Sequence, residues 1–140
     1  MKAYNIYSLI IMMVMIMFVS SCTAESELDK EPEESARYYV KYEVTFHTQH
    51  TNTIKNIEFI TEKGKENISF TEWTYSKSWE GTYGPVDKNF VASIKCSVPD
   101  YRYDSEIHAR IYLSREKEPF VIKAEGSGEY SLNLQTTIDF

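Results

Sequence analysis

Asn89-Phe90-Val91-Ala92-Ser93-Ile94-Lys95-Cys96-Ser97-Val98 alternates without a break, with Phe90, Ala92, Ile94, Cys96 and Val98 on one side and Val91, Ser93, Lys95 and Ser97 on the other. A period of two places one set of side chains on each face of a β-strand. The apolar set includes Ile, Val and Cys, which are among the residue types most often fully buried. The stretch predicts a core strand, and that strand requires a second sheet to cover its apolar face. C-terminal to it, residues 99–105 are a loop, and 106–114 alternate again through Ile107, Ala109, Ile111 and Leu113. Residues 115–118 turn the chain, Phe120, Ile122 and Ala124 line a further strand, Gly126-Ser127-Gly128 turns again, and Tyr130, Leu132, Leu134 and Ile138 line the last.

Upstream, residues 38–46 alternate Val40, Tyr42, Val44 and Phe46 with Lys41, Glu43 and Thr45. Residues 53–61 carry Ile54, Ile57, Phe59 and Ile60, a broken alternation that predicts a bulge or a shifted register. A turn at Gly64 leads to residues 67–74, with Ile68 and Phe70 on one face and Trp73 on the other. Residues 75–79 extend or restart that strand, and Gly81, Gly84 and Pro85 break it. Apolar residues nowhere recur at helical spacing over a length that would hold a helix, and no internal repeat is evident. Seven or eight short antiparallel strands over residues 37–140 predict an all-β, immunoglobulin-like sandwich of two sheets, with a barrel as the alternative.

Ahead of this domain lies a different composition. After the single basic Lys2, residues 6–19 are of low polarity, about 14 residues where a spanning helix needs roughly 20. They read as the apolar part of a signal peptide, residues 1–21. Val19-Ser20-Ser21-Cys22 closes it and resembles the lipobox of bacterial lipoproteins, which implies cleavage before Cys22 and acylation of its thiol. One acyl chain such as palmitate holds a protein only marginally and two hold it stably, so a lipidated Cys22 implies a lipid bilayer as partner without any spanning segment. The only other cysteine is Cys96, so acylation of Cys22 would leave it no disulfide partner. Residues 23–36 hold six acids, one base, Pro32 and little that is apolar beyond Leu28, a composition expected to form an extended tether. Such an acidic run behind the acylated cysteine also resembles the surface-export signal of Bacteroidota lipoproteins, implying the outer membrane of the cell envelope, facing outward. Residues 37–140 carry 13 bases and 15 acids, a balance of −2 within the −6 of the whole chain, so no nucleic-acid partner is expected.

A second resemblance rests on Tyr42-Glu43-Val44-Thr45, Trp79, Phe90-Val91-Ala92, Arg110-Ile111-Tyr112-Leu113 and Gly128-Glu129-Tyr130, in that order. Together they look like the soluble domain of MmpS-type transport accessory proteins, membrane-anchored β-sandwiches that work beside RND-type exporters. The resemblance implies an accessory role at such a transporter. The chain departs from that family in its lipid anchor and in Ala109, where a cysteine would be expected before the arginine.

Catalysis is not expected. His47 and His50 are three apart and His108 is distant, with no Cys or His pair to complete a metal set. Asp100, Asp104 and Glu106 could offer oxygens to calcium, but the glycine and terminal glutamate of a calcium loop are missing. No Gly-x-Ser-x-Gly elbow occurs, and Cys96 belongs to a core face. No metal and no cofactor are expected. The candidate contacts are aromatic: Trp73, Tyr75, Trp79 and Tyr83 along one stretch, and Tyr101 and Tyr103 flanking Arg102. Such residues serve protein interfaces or stack on sugar rings, and the same tryptophans also suit a sandwich core. The sequence therefore predicts a non-enzymatic module that binds a protein, with carbohydrate binding as the alternative.

Overall fold

The computed structural model describes residues 36–50, 52–71, 74–100, 104–116 and 118–139. The expectations for the leader, Cys22, the acidic segment, Trp73, Tyr101 and Tyr103 lie outside these residues. Ala36–Phe140 forms one compact unit. Its described residues form eight strands: β1 (Tyr38–Thr48), β2 (Lys55–Thr61), β3 (Gly64–Phe70), β4 (Ser76–Val86), β5 (Val91–Ser97), β6 (Ser105–Arg115), β7 (Val121–Gly128) and β8 (Ser131–Thr137). They make two antiparallel four-stranded sheets, ordered β4-β1-β6-β7 and β3-β2-β5-β8, and no helix occurs among the described residues. The described residues form an all-β sandwich.

Alternation decides which faces meet. Val40, Tyr42, Val44 and Phe46 of β1 and Ile107, Ala109, Ile111 and Leu113 of β6 point inward from the first sheet. Ile57 and Phe59 of β2 and Ala92, Ile94 and Cys96 of β5 answer from the second, and all are essentially inaccessible to water. Burying a side chain of this size is worth about 1.5–3 kcal/mol, so the two central pairs, β1 with β6 and β2 with β5, hold most of the apolar driving force. Tyr42 reaches across the core, and its hydroxyl donates to the Ile60 carbonyl at 2.7 Å, so its one polar atom is satisfied.

Several local expectations are corrected. In β2 the alternation is regular: Lys55, Ile57, Phe59 and Thr61 are buried, while Ile54 is exposed and Ile60 half-buried. The register against β3 and β5 has no bulge. The lysine and threonine at the ends of the inward row disguised it; the Lys55 ammonium donates to the Thr53 carbonyl at 3.4 Å. Gly81, Gly84 and Pro85 do not end β4, which runs through them to Val86. Its pairing with β1 slips between Tyr38 and Val40, so Gly84 and Pro85 form a bulge. Gly84 sits at φ 136° with its α-carbon so close to β1 that a β-carbon would lie 2.8 Å from the Tyr38 carbonyl oxygen. Pro is tolerated because β4 is an edge strand. Gly126-Ser127-Gly128 belongs to β7, and the turn falls at Glu129-Tyr130.

Candidate functional site

The aromatic stretch divides in two. Lys77, Trp79, Gly81 and Tyr83 alternate along the inner face of β4, each half-buried at the open side of the sandwich. The Trp79 and Tyr83 rings pack on Phe59 of the opposite sheet at 4.9 and 5.1 Å between centroids, and Tyr83 also meets Tyr42 at 6.2 Å. Tilted rings at these separations are favourable beyond their buried area. Gly81 lies between them: a β-carbon there would meet the Tyr83 ring at 2.8 Å and the Trp79 ring at 3.1 Å. The glycine lets two aromatics close over an edge strand, an arrangement that repairs the packing a bare glycine forfeits. Burial raises the Tyr83 hydroxyl's pKa above its ordinary value. Trp79 and Tyr83 therefore serve the core and show one edge to solvent.

Tyr75 stands apart, 65% exposed, just before β4. Its carbonyl accepts the Thr48 N–H at 2.8 Å, which ties it to the end of β1. Around it lies a depression of about 330 Å³ floored by His47, Thr48, Gln49, Asp104, Ser105 and Glu106. The Gln49 side-chain amide donates to the Asp104 carboxylate at 2.8 Å, and the Gln49 N–H donates to the Asp104 carbonyl at 3.0 Å, so two loops distant in sequence are stitched together. A second depression of about 480 Å³ shares Asp104, Ser105 and Glu106 and continues to Glu129 and Tyr130. A third, about 490 Å³, shares His47 and Ser127 and runs onto the outer face of β1, β6 and β7. The three form a continuous trough at one end of the sandwich, with exposed Tyr75 on one bank and half-buried Tyr130 on the other.

The outer face beside the trough carries charges that the sequence reading did not single out. Register places Glu43 opposite Arg110 and Lys41 opposite Tyr112. The Lys41 ammonium lies 2.8 Å from Glu43 and 3.1 Å from Glu80, and 5.4 Å from the centre of the Tyr112 ring. The Tyr112 hydroxyl donates to Glu43, and Arg110 pairs with Glu125 at 3.3 Å. Lys41 and then Tyr112 lower the Glu43 pKa below the ordinary carboxylate value, and the Glu43 bond in turn raises the Tyr112 pKa. Glu43 and Glu80 raise the Lys41 pKa, and the Tyr112 bond leads the causes that raise that of Arg110. Each charge in this cluster has an opposite partner, so the cluster orders a surface. The alternating Lys41, Glu43, Arg110 and Tyr112 were legible as outward-facing, but their meeting depends on β1 pairing with β6 across about 70 residues of chain.

His47 and His108 do come together, edge to face at 6.4 Å, with His108 2.9 Å from Glu106. Among the described residues no group of three or more His, Cys, Asp and Glu side chains is placed to hold a metal ion. Cys96 is buried as a free thiol, its pKa pushed up to about 12 by burial. No described helix is long and apolar enough to cross a membrane. No protein-family model, curated protein or solved structure matches this chain.

Proposed function

We propose that this protein is a membrane-anchored lipoprotein of the cell envelope whose β-sandwich works as a non-enzymatic binding or accessory module, held by an acylated Cys22. The observation that carries the reading is Val19-Ser20-Ser21-Cys22, followed by an acidic run that stops where the compact unit begins at Ala36. Its partner is a protein, met by the trough end of the sandwich, where Tyr75 is the described aromatic most open to solvent. Trp73 and the Tyr101 and Tyr103 pair adjoin that end in sequence and belong to the same proposed contact, whereas Trp79, level with Val44, and Tyr83, level with Val40, pack on Phe59 farther along β4, away from that end. The order of strand words shared with MmpS-type accessory proteins makes an RND-type transporter the first partner to test, and the acidic run favours the outer membrane with the domain facing outward.

Carbohydrate binding is the second reading, favoured by one feature: an exposed Tyr75 ring beside the bonded Gln49 and Asp104 pair is a stacking platform next to hydroxyl-binding groups. A photo-crosslinking amino acid placed at Tyr75 in intact cells separates the two. A discrete protein adduct, absent when the same group is placed at outer-face Thr82, supports the protein contact. Adducts on glycan alone would replace it with the second reading, and no adduct of either kind would remove the trough end as the contact.

A further inference from the structure

Three consecutive large apolar residues, Phe120, Val121 and Ile122, are 40%, 53% and 46% exposed at the start of β7. Alternation alone would send Phe120 and Ile122 inward with Ala124. The register explains why it fails: Ala124 faces Ile111, but Ile122 faces Tyr112, so one extra residue is accommodated at Lys123 and the parity flips. Ile122 is turned to the outer face, and Val121, level with Leu113, lies at the open edge. The result is an apolar ridge on the rim.

Its position gives it a meaning. Tyr38, the first residue of β1, pairs with Arg115, and the Glu116 N–H donates to the Arg37 carbonyl at 2.9 Å. The chain therefore comes into the domain beside the β6–β7 turn, at the end of the sandwich that carries Phe120. Val121 is level with Leu113 and Leu113 with Val40, two strand spacings or about 10 Å across the sheet from β1. The 14 residues between Cys22 and Arg37 reach at most about 50 Å, and they join the domain at this same end.

We infer that Phe120, Val121 and Ile122 form a bilayer-docking ridge that seats the domain's chain-entrance end on the membrane holding its lipid anchor. The inference rests on the proposed acylation of Cys22. An apolar surface that would bind lipid only weakly by itself gains from the anchor, because tethering turns the contact into an intramolecular event at high effective concentration. Charge adds little: Arg115, Glu116, Lys117 and Glu118 of the neighbouring turn cancel, and Lys123 lies 3.8 Å from Asp139. Docking should accordingly be as strong on zwitterionic as on anionic lipid.

The test uses the full chain, purified from membranes with its lipid and placed in phosphatidylcholine vesicles or in detergent-free nanodiscs. Val121→Cys and Ile122→Cys, and Glu129→Cys at the opposite end, are reacted with a charged water-soluble thiol reagent; Cys96 is buried and stays silent. Intact mass reports acylation, and melting temperature reports folding. Since an interfacial apolar face sits about 5–10 Å into the headgroup boundary, labelling at 121 and 122 should be about tenfold slower on the bilayer than after the domain is released from its anchor, with 129 unchanged. An acylated protein with equal rates at 121, 122 and 129 in both states would overturn the docking and leave the anchor standing. A mass without acyl groups would overturn both. Protection at 121 and 122 that persists after release, with the mass of a dimer, would assign the ridge to a second copy and also overturn the docking.

Discussion

Cys96 sits between Ile57 of β2 and Leu132 of β8, with no accessible surface. A thiol reagent should leave the folded domain unmodified and react stoichiometrically once it is denatured. Its pKa also dictates a pH dependence. Folding raises it from 9.0 to about 12, so the folded state keeps a proton that the unfolded state gives up in this interval. The stabilisation is complete below pH 9 and is lost as pH rises toward 12, at up to about 1.4 kcal/mol per pH unit. Tyr42, raised by burial from 10.0, adds to the loss from pH 10 upward. Cys96→Ala should therefore flatten the decline of denaturation midpoint between pH 9 and 10, whatever its effect at neutral pH. Glu43 has the opposite sign: its lowered pKa contributes stability above 4.5 that fades as pH falls. At the candidate site, Trp79 and Tyr75 should part company. Trp79→Ala removes a half-buried ring from Phe59 and should cost roughly 2–3 kcal/mol, below the 3–5 of a fully buried aromatic, whereas Tyr75→Ala should stay within about 0.5 kcal/mol of wild type. Urea titrations of both variants check this, and an unfolded Tyr75→Ala would mean that its ring is structural.

Among the strands, β5 and β6 were legible almost residue by residue, because their inward positions, Ser105 at the start of β6 apart, are apolar and neither strand lies at a sheet edge. β2 was harder: the buried Lys55 and Thr61 break the apolar pattern without breaking the geometry. β4 and β7 were misread in different ways, though each is an edge strand with a bulge. In β4 the bulge is marked by Gly84-Pro85, a pair that reads equally as the end of a strand, whereas in β7 the extra residue at Lys123 shifts side-chain parity without a signal in composition. Half of the candidate site was legible in the same sense. The aromatic residues were visible, but whether a ring faces the core depends on the sheet opposite, and the trough depends on loops distant in sequence that Gln49 and Asp104 join. The β4 bulge offers a direct check. At φ 136° and 2.8 Å from the Tyr38 carbonyl, Gly84→Ala is both strained and crowded and should destabilise by about 2 kcal/mol. Ser78→Ala on the exposed outer face of the same strand should change little, and equal effects of the two would show that the bulge relaxes freely.

For the molecule as a whole, the two ends of the sandwich are unlike. β1 spans 11 residues, about 33 Å, from the chain's point of arrival to the trough. One end carries the apolar ridge of Phe120 to Ile122, and the other carries Tyr75, Asp104, Glu106 and Tyr130. A lipid at Cys22 would give that asymmetry a direction, with the ridge toward the bilayer and the trough held about 33 Å from it. Stability should not depend on the intervening segment, since all eight strands fall within Ala36–Phe140 and residues 23–36 offer only Leu28 and two alanines as apolar side chains. Deleting residues 24–34 should leave the melting temperature of the purified domain within the spread of replicate measurements. The anchor itself is tested by feeding cells a labelled fatty acid: the wild type and the deletion variant should both incorporate it, and Cys22→Ala should not. Label in Cys22→Ala would move the anchor elsewhere, and a marked fall in melting temperature on deletion would mean that the acidic segment packs against the sandwich. If both results hold, the trough's height above the membrane is set by the length of β1, and shortening the segment by half should leave crosslinking from Tyr75 to a membrane partner unchanged.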